Sequence, residues 1–194
     1  MYTGKRLLDI LTATVALIIT LPIMLPAALL LLLLSGSFPF FLQERPGLHG
    51  RPFHLIKLRT VHSYPVAKTQ LLKKYCLLLR NYSIDELPQL YNVLKGEMSM
   101  VGPRPLLMEY LPLYNEFQIR RHEVKPGITG WAQINGRNMI GWDRRFALDV
   151  WYVQHASLKL DLRILNKTFW AMFAPKNVKP EGLSDEEKFR GNKI

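Results

Sequence analysis

The sequence predicts a mostly helical α/β head carried on an N-terminal membrane anchor, with amphipathic helices lying at the interface. Three observations carry that prediction. Residues 10–34 read ILTATVALIITLPIMLPAALLLLLL, without one charged side chain. The remainder alternates amphipathic stretches of helical length with short apolar runs that suit strands. The charge is strongly basic, 26 Lys and Arg against 15 Asp and Glu for a net +11, which favours anionic surfaces and anionic ligands.

The anchor comes first. A helix needs about 20 apolar residues to cross a bilayer, so residues 10–34 are long enough. A secretory signal has a shorter apolar region, roughly 7–15 residues, and a small-residue cleavage site; Ser35-Gly36-Ser37 is a poor match. Lys5 and Arg6 precede the run, and Arg45, Arg51, Lys57 and Arg59 follow it. Lys and Arg tend to stay on the cytosolic side, so basic flanks at both ends oppose a simple crossing. Pro22 and Pro26 each remove a helical hydrogen bond in mid-run. A re-entrant helix-hairpin that enters and leaves on the cytosolic face and a plain span are level on these residues. A charge deep in the bilayer costs roughly 2.5–3.5 kcal/mol on insertion scales. Asp9 is therefore expected at the interface, paired with Arg6.

The head follows. Residues 1–36 form the anchor, 37–174 one globular domain, and 175–194 a polar tail without fixed order. Extended segments are expected at 39–43, 53–58 and 128–134. Helices are expected at about 67–80, 85–95, 106–121, 142–154 and 158–173. Residues 151–173 mix basic side chains with Trp151, Tyr152, Phe169, Trp170 and Phe173, a composition suited to a membrane interface and equally to packing on a core. Cys76 is the single cysteine, so no intramolecular disulfide forms. His49, His54, His62, His122 and His155 are scattered and make no metal-ligand pattern.

The chemistry concentrates in SIDELPQLYNVLKGEMSMVGPRP, residues 83–105. Asp85 and Glu86 stand side by side where a helix should begin, with Pro88 fixing its start. Ser83-x-x-Glu86 fits a capping box, a structural role worth about 1 kcal/mol for the Ser. The same geometry suits catalysis. A helix start favours negative charge, keeps a carboxylate ionised for nucleophilic attack and holds a phosphate beside it. In Gly102-Pro103-Arg104-Pro105 two prolines stiffen the backbone around Arg104, whose planar fork matches phosphate. Residues 125–137, KPGITGWAQINGR, are glycine-rich, which permits tight turns and close approach to a ligand. Arg137 ends that run as a second phosphate candidate.

In combination these segments resemble one family. KRLLDI at 5–10, the proline-interrupted run, QERPG at 43–47, KLRT at 57–60, residues 83–105 and HEVKPGITGWAQINGRN at 122–138 are similar to the bacterial sugar transferases of the monotopic phosphoglycosyl transferase type. Residues 103–154 look most like the members that move N,N'-diacetylbacillosamine 1-phosphate onto undecaprenyl phosphate. The resemblance implies transfer of a sugar 1-phosphate from a UDP-sugar to a polyprenyl phosphate with release of UMP, on the cytosolic face of the bacterial inner membrane. It implies Asp85 as nucleophile and Glu86 as the ligand of Mg²⁺. Arg80, Arg104 and Arg137 would hold phosphates, Asp149 would order the site, and Lys57 and Arg59 would be structural or phosphate contacts. Arg6 and Pro22 would belong to the hairpin. Leu21 stands where close relatives often have Ser, and residues 61–80 follow the family pattern least.

The competing reading is a non-catalytic membrane-bound protein that binds lipids or partners through its basic face. Nucleic acid is not an expected partner: the basic residues gather on no single reading helix. Membrane lipids are expected partners, and the sequence leaves room for an oligomer.

Overall fold

The computed structural model describes residues 2–61, 70–136, 140–172 and 189–191. The chain is mostly helical with two small two-stranded sheets. The apolar run forms helix α1, Lys5–Ser35, continuous through Pro22 and Pro26 and closed by Gly36 in the left-handed conformation. At 1.5 Å per residue, α1 is about 46 Å long. All its exposed positions are apolar or proline except Thr14.

Beyond α1 come β1 (Phe40–Pro46) and β2 (Pro52–Leu58), an antiparallel pair in register Phe40 to Leu58. Helix α2 (Gln70–Asn81) and a 3-10 turn at Ile84–Glu86 lead into α3 (Gln89–Lys95). Strand β3 (Ser99–Val101) pairs in parallel with β4 (Gly127–Thr129). Between them lie a 3-10 segment Met108–Leu113, short helix α4 (Glu116–Ile119) and a further 3-10 turn. Helices α5 (Trp131–Ile134), α6 (Trp142–His155) and α7 (Leu158–Met172) finish the head.

Several expectations are corrected. The helix expected over 106–121 is broken into three pieces, because Pro112 lies inside the stretch and Asn115 starts a new helix with its own capping box to Gln118. Residues 131–134 are helical, not extended. Strand β3 was not foreseen, since three residues give too little periodicity to read. Tyr152 does not face an interface; it is buried. Phe173 and residues 67–69 lie outside the described residues. The tail is not wholly loose either: Phe189 is buried in an aromatic cluster.

Helix α1 is built into the head at both ends. Near its start, Ala13 joins the central core of Phe53, Leu55, Leu90, Val93, Val101, Tyr152 and Ile164. Near its end, Ala27, Ala28 and Leu31 pack with Leu58, Leu72, Cys76 and Leu79, and the Tyr75 hydroxyl donates to the Ala27 carbonyl at 3.2 Å. Small alanines let the head approach the helix closely at the contacts, while large aliphatics fill its free face.

The start of α1 is also held by charge. Lys5 Nζ donates to Asp9 Oδ1 (3.2 Å), Asp161 Oδ2 (2.7 Å) and the Val101 carbonyl (3.1 Å), which uses all three ammonium hydrogens. Asp9 also accepts from Ser99 Oγ at 2.9 Å and the Met100 N–H at 3.0 Å. The Tyr2 and Tyr152 hydroxyls lie 2.7 and 2.8 Å from Asp161. Asp9 thus pairs with Lys5 rather than Arg6. Arg6 donates instead to the Val93 and Leu94 carbonyls at 2.6 and 2.7 Å, satisfying acceptors that the end of α3 leaves open.

Candidate active site

The carboxylate pair is set by local backbone geometry. After α2, Ser83 takes a left-handed conformation, φ 57°, and the chain turns through one 3-10 turn that carries Asp85 and Glu86. Ser83 makes no side-chain cap bond, so the expected capping box does not form. Pro88, not Ser83, stands at the cap of α3. The two carboxylates therefore precede the helix instead of occupying its first turn, and the helix dipole is not what governs their charge.

Burial governs it. Asp85 is 9% exposed, and its pKa is pushed up to about 6 by burial, then by the neighbouring Glu86, with Lys57 and Arg104 pulling the other way. Glu86 lies between two cations. Its Oε1 takes Lys57 Nζ at 3.2 Å and Arg104 Nη2 at 2.5 Å, and its Oε2 takes Arg104 Nη1 at 3.3 Å. The Arg104 contact is two-pronged, as a guanidinium fork prefers. Arg104 is nearly half exposed, so solvent screens this pair strongly. Burial pushes the Lys57 ammonium down, against the pull of Glu86.

Each cation is placed by a different element. Lys57 lies on β2 with Phe53 and Leu55 on the same face by the two-residue period. Asn92 stitches α3 to that strand: its Oδ1 accepts from the Ile56 N–H at 3.1 Å and its Nδ2 donates to the His54 carbonyl at 2.8 Å. This brings the 84–86 turn to Lys57. Arg104 is aimed by its backbone. Its carbonyl accepts from Arg121 Nη2 at 2.7 Å, and the Pro103 carbonyl from the Gly127 N–H at 3.0 Å. Gly102 and Gly127 meet so closely that a Cβ on either would strike the other's backbone. These glycines bring two stretches of chain together.

Asp149 stands behind the site rather than in it. It holds the fully buried Arg121 through Nε at 3.1 Å and Nη2 at 2.8 Å, and so secures the group that grips the Arg104 carbonyl. Arg59 is turned away; it donates to the Phe38 and Phe40 carbonyls at 3.1 and 3.3 Å and braces the start of β1. Arg80, in the last turn of α2, has a buried Nε without a hydrogen-bond partner among the described residues. Arg137 lies outside the described residues. Arg6 and Pro22 lie on α1, Arg6 capping α3 and Pro22 exposed.

Two participants escaped the sequence reading. Arg121 sits in an unremarkable RRHE run, and nothing there marks it as buried. Arg45 was visible only within QERPG. It donates to Gln43 Oε1 at 2.7 Å, while its buried Nε has no partner among the described residues. Burial, and next the charge of Arg104, push its pKa down to about 10. His122 accompanies Arg121. Its Nδ1 lies 3.2 Å from the Gly47 carbonyl, and burial followed by Arg121 drives its pKa down to about 4, leaving it neutral.

Fold and site together define a head bound to an apolar helix, with a carboxylate pair set in a frame of cations suited to phosphate. The chain belongs to the bacterial sugar transferase family, whose model matches residues 1–175. It is 52% identical to the uncharacterized sugar transferase EpsL of Bacillus subtilis, over 97% of this chain and 96% of that one. It is 38% identical to the UDP-glucose:undecaprenyl-phosphate glucose-1-phosphate transferase of Xanthomonas campestris pv. campestris, over 84% of this chain and 37% of that one. It is 37% identical to the UDP-N-acetylgalactosamine-undecaprenyl-phosphate N-acetylgalactosaminephosphotransferase of Aeromonas hydrophila, over 84% of this chain and 42% of the relative. The chain thus spans well under half of the last two relatives.

Proposed function

We propose that this chain transfers a sugar 1-phosphate from a UDP-sugar to a polyprenyl phosphate, undecaprenyl phosphate in the names of its relatives, and releases UMP. The observation that carries this reading is a buried Asp85 beside a Glu86 gripped by Lys57 and Arg104. Asp85 is the nucleophile. A carboxylate oxygen attacks the sugar-bearing phosphorus, the bond from that phosphorus to the bridging oxygen breaks, and UMP departs with the electron pair. A phosphosugar remains on Asp85 as an acyl phosphate. A phosphate oxygen of the lipid then attacks the same phosphorus, the acyl phosphate bond breaks, and the Asp85 carboxylate is restored. The product is a polyprenyl-diphosphate-sugar. A pKa near 6 leaves Asp85 mostly ionised at neutral pH, and its burial strips the hydration that would dull its attack.

The donor set fits Mg²⁺, a hard cation commonly held by one or two carboxylates together with substrate phosphates. Glu86 would hold it, and when bound it would supply positive charge to offset that of the diphosphate and the leaving UMP. Arg104, Arg80 and Arg137 hold phosphate oxygens, with Asp149 and Arg121 fixing the Arg104 backbone. Lys57 holds the Glu86 carboxylate through its Oε1.

Helix α1 supports a location at the membrane. One head holds the start of the helix through Lys5, Arg6 and Asp9 and its end through Ala27, Leu31 and Tyr75. That supports a re-entrant path with both ends on the cytosolic face of the inner membrane, since a straight crossing would draw one end away from the head. Leu158, Leu162, Phe169 and Trp170 of α7 are exposed beside Lys159, Arg163 and Lys167, a pattern that suits a helix lying at the interface. The lipid phosphate then meets Asp85 at the bilayer surface while UDP-sugar arrives from water.

The test uses purified protein with Mg²⁺, undecaprenyl phosphate and a panel of UDP-sugars, reading UMP release. UDP-N,N'-diacetylbacillosamine is the first candidate, followed by UDP-N-acetylglucosamine and UDP-N-acetylgalactosamine, with UDP-glucose added from the relatives' names. Ping-pong kinetics, a phosphosugar adduct located on Asp85 by mass spectrometry, and loss of turnover on chelation are expected. Near-normal UMP release by Asp85→Asn would remove the nucleophile assignment. No release with any UDP-sugar would favour a binding protein instead.

A further inference from the structure

Among the described residues of the tail, Phe189 is seated in the head. Phe189 is 6% exposed and fills a socket of four aromatic rings. Its ring centroid lies 5.1 Å from Phe146, 5.6 Å from Trp142, 5.7 Å from Tyr110 and 5.8 Å from Tyr114. The Phe146 and Tyr110 contacts are edge-on, at 72° and 76°, the arrangement ring quadrupoles favour. Around it, residues on the 3-10 segment, the loop after it and α6 are drawn to one point.

The same rings touch the group that aims Arg104. The Arg121 guanidinium sits over Phe146 at 5.7 Å and over Tyr114 at 5.9 Å, and its Nη1 donates to the Tyr114 hydroxyl at 3.4 Å. Its Nη2 holds the Arg104 carbonyl, and Arg104 reaches Glu86. A packed path therefore runs from Phe189 through Tyr114 and Phe146 to Arg121 and Arg104. Removing the phenyl ring leaves Tyr114 and Phe146 without a wall. Interiors are close-packed, so the rings relax into the gap, and Arg121 shifts with them.

We propose that Phe189 is a positioning residue: the tail seats it as a brace that holds Arg121, and through Arg121 the Arg104 backbone, in register with Glu86. The inference rests on the reading of Arg104 as a phosphate ligand, and UMP is a probe that tests both without knowledge of the sugar. Binding of UMP to the full-length protein is measured by calorimetry, well below the melting temperature of every variant.

Phe189→Ala weakens UMP binding about tenfold, the scale at which displaced packing reaches a binding group. Phe189→Leu, which keeps most of the volume, stays within about threefold of the wild type. The distinguishing measurement is a double-mutant cycle. In an Arg104→Ala background the Phe189→Ala change has no further effect if the brace acts through Arg104. An equal loss in both backgrounds, or wild-type binding by Phe189→Ala while Arg104→Ala is impaired, overturns the brace. Wild-type binding by Arg104→Ala alone overturns the phosphate role of Arg104 instead. If the alanine variant fails to fold, Phe189→Val carries the same comparison with a smaller cavity.

Discussion

Two charge clusters of the protein differ in how far their charges are matched. At the start of α1, Lys5, Asp9 and Asp161 are almost wholly removed from water, and every hydrogen of the Lys5 ammonium has an acceptor. Around Asp85 the matching is incomplete. Burial and then Glu86 raise the Asp85 carboxyl against Lys57 and Arg104, and Arg45, which feels the charges of Arg104 and Glu86, has a buried Nε without a partner among the described residues. Buried polar groups are normally satisfied, and perturbed groups gather where chemistry is done. The closed cluster fastens helix to head; the open one is where the proposed phosphate-rich ligand would be received. Both use Lys and Asp, so residue type does not distinguish them.

The largest effect should come from opening the closed cluster. Lys5→Met leaves Asp9 and Asp161 buried without their cation, which costs about 3–5 kcal/mol. Thermal melts in detergent should show the loss; a melting temperature within a degree or two of wild type would mean the network does not hold the helix. The next effect has the opposite sign. Because the Asp85 pKa is raised on folding, its contribution to stability is complete below the unfolded value near 3.9 and is lost as pH rises through about 6. Asp85→Asn removes that loss. It should stabilise the head at pH 8 by about 2–3 kcal/mol even as it abolishes transfer. Chemical denaturation at pH 4.5 and pH 8 checks this, and an Asn variant less stable at pH 8 would show the carboxylate to be a structural ion pair.

A smaller change is set by the same group. Below pH 6 the rate of UMP release should fall about tenfold per pH unit as Asp85 protonates, provided the protein remains folded. A flat profile between pH 5 and 7 would break the link between the open cluster and the nucleophile. The smallest effect belongs to Arg59, which donates to the Phe38 and Phe40 carbonyls and lies over the Phe41 ring at 5.7 Å. Arg59→Ala should cost at most about 1 kcal/mol and leave KM for the UDP-sugar unchanged. A large change in KM would bring Arg59 back into the site.

Much of the site was legible because its signals are local. Asp85 and Glu86 are neighbours in sequence, Pro88 fixes the cap of α3, and two prolines flank Arg104. Helices α6 and α7 match the expected ranges within a residue or two, since each has a long amphipathic pattern. The reading failed where a local motif met a stronger tertiary demand. The capping box was overruled by the left-handed Ser83, and the close approach of Gly102 to Gly127 had no local signal.

The sequence by itself determined that a long apolar run without charge precedes a basic head, that the head is α/β and mostly helical, and which carboxylates stand together. Those are properties of composition, period and adjacency, and they need no partner from elsewhere in the chain. Only the tertiary structure decided which charges are buried and which are matched. It set Lys5 against Asp161, Arg121 against Asp149 and Phe189 against Phe146. Each of these pairs joins residues far apart in the chain, and the energy that selects them is the cost of leaving a buried charge unpaired or a core cavity unfilled. That cost exists only once the chain has folded around it.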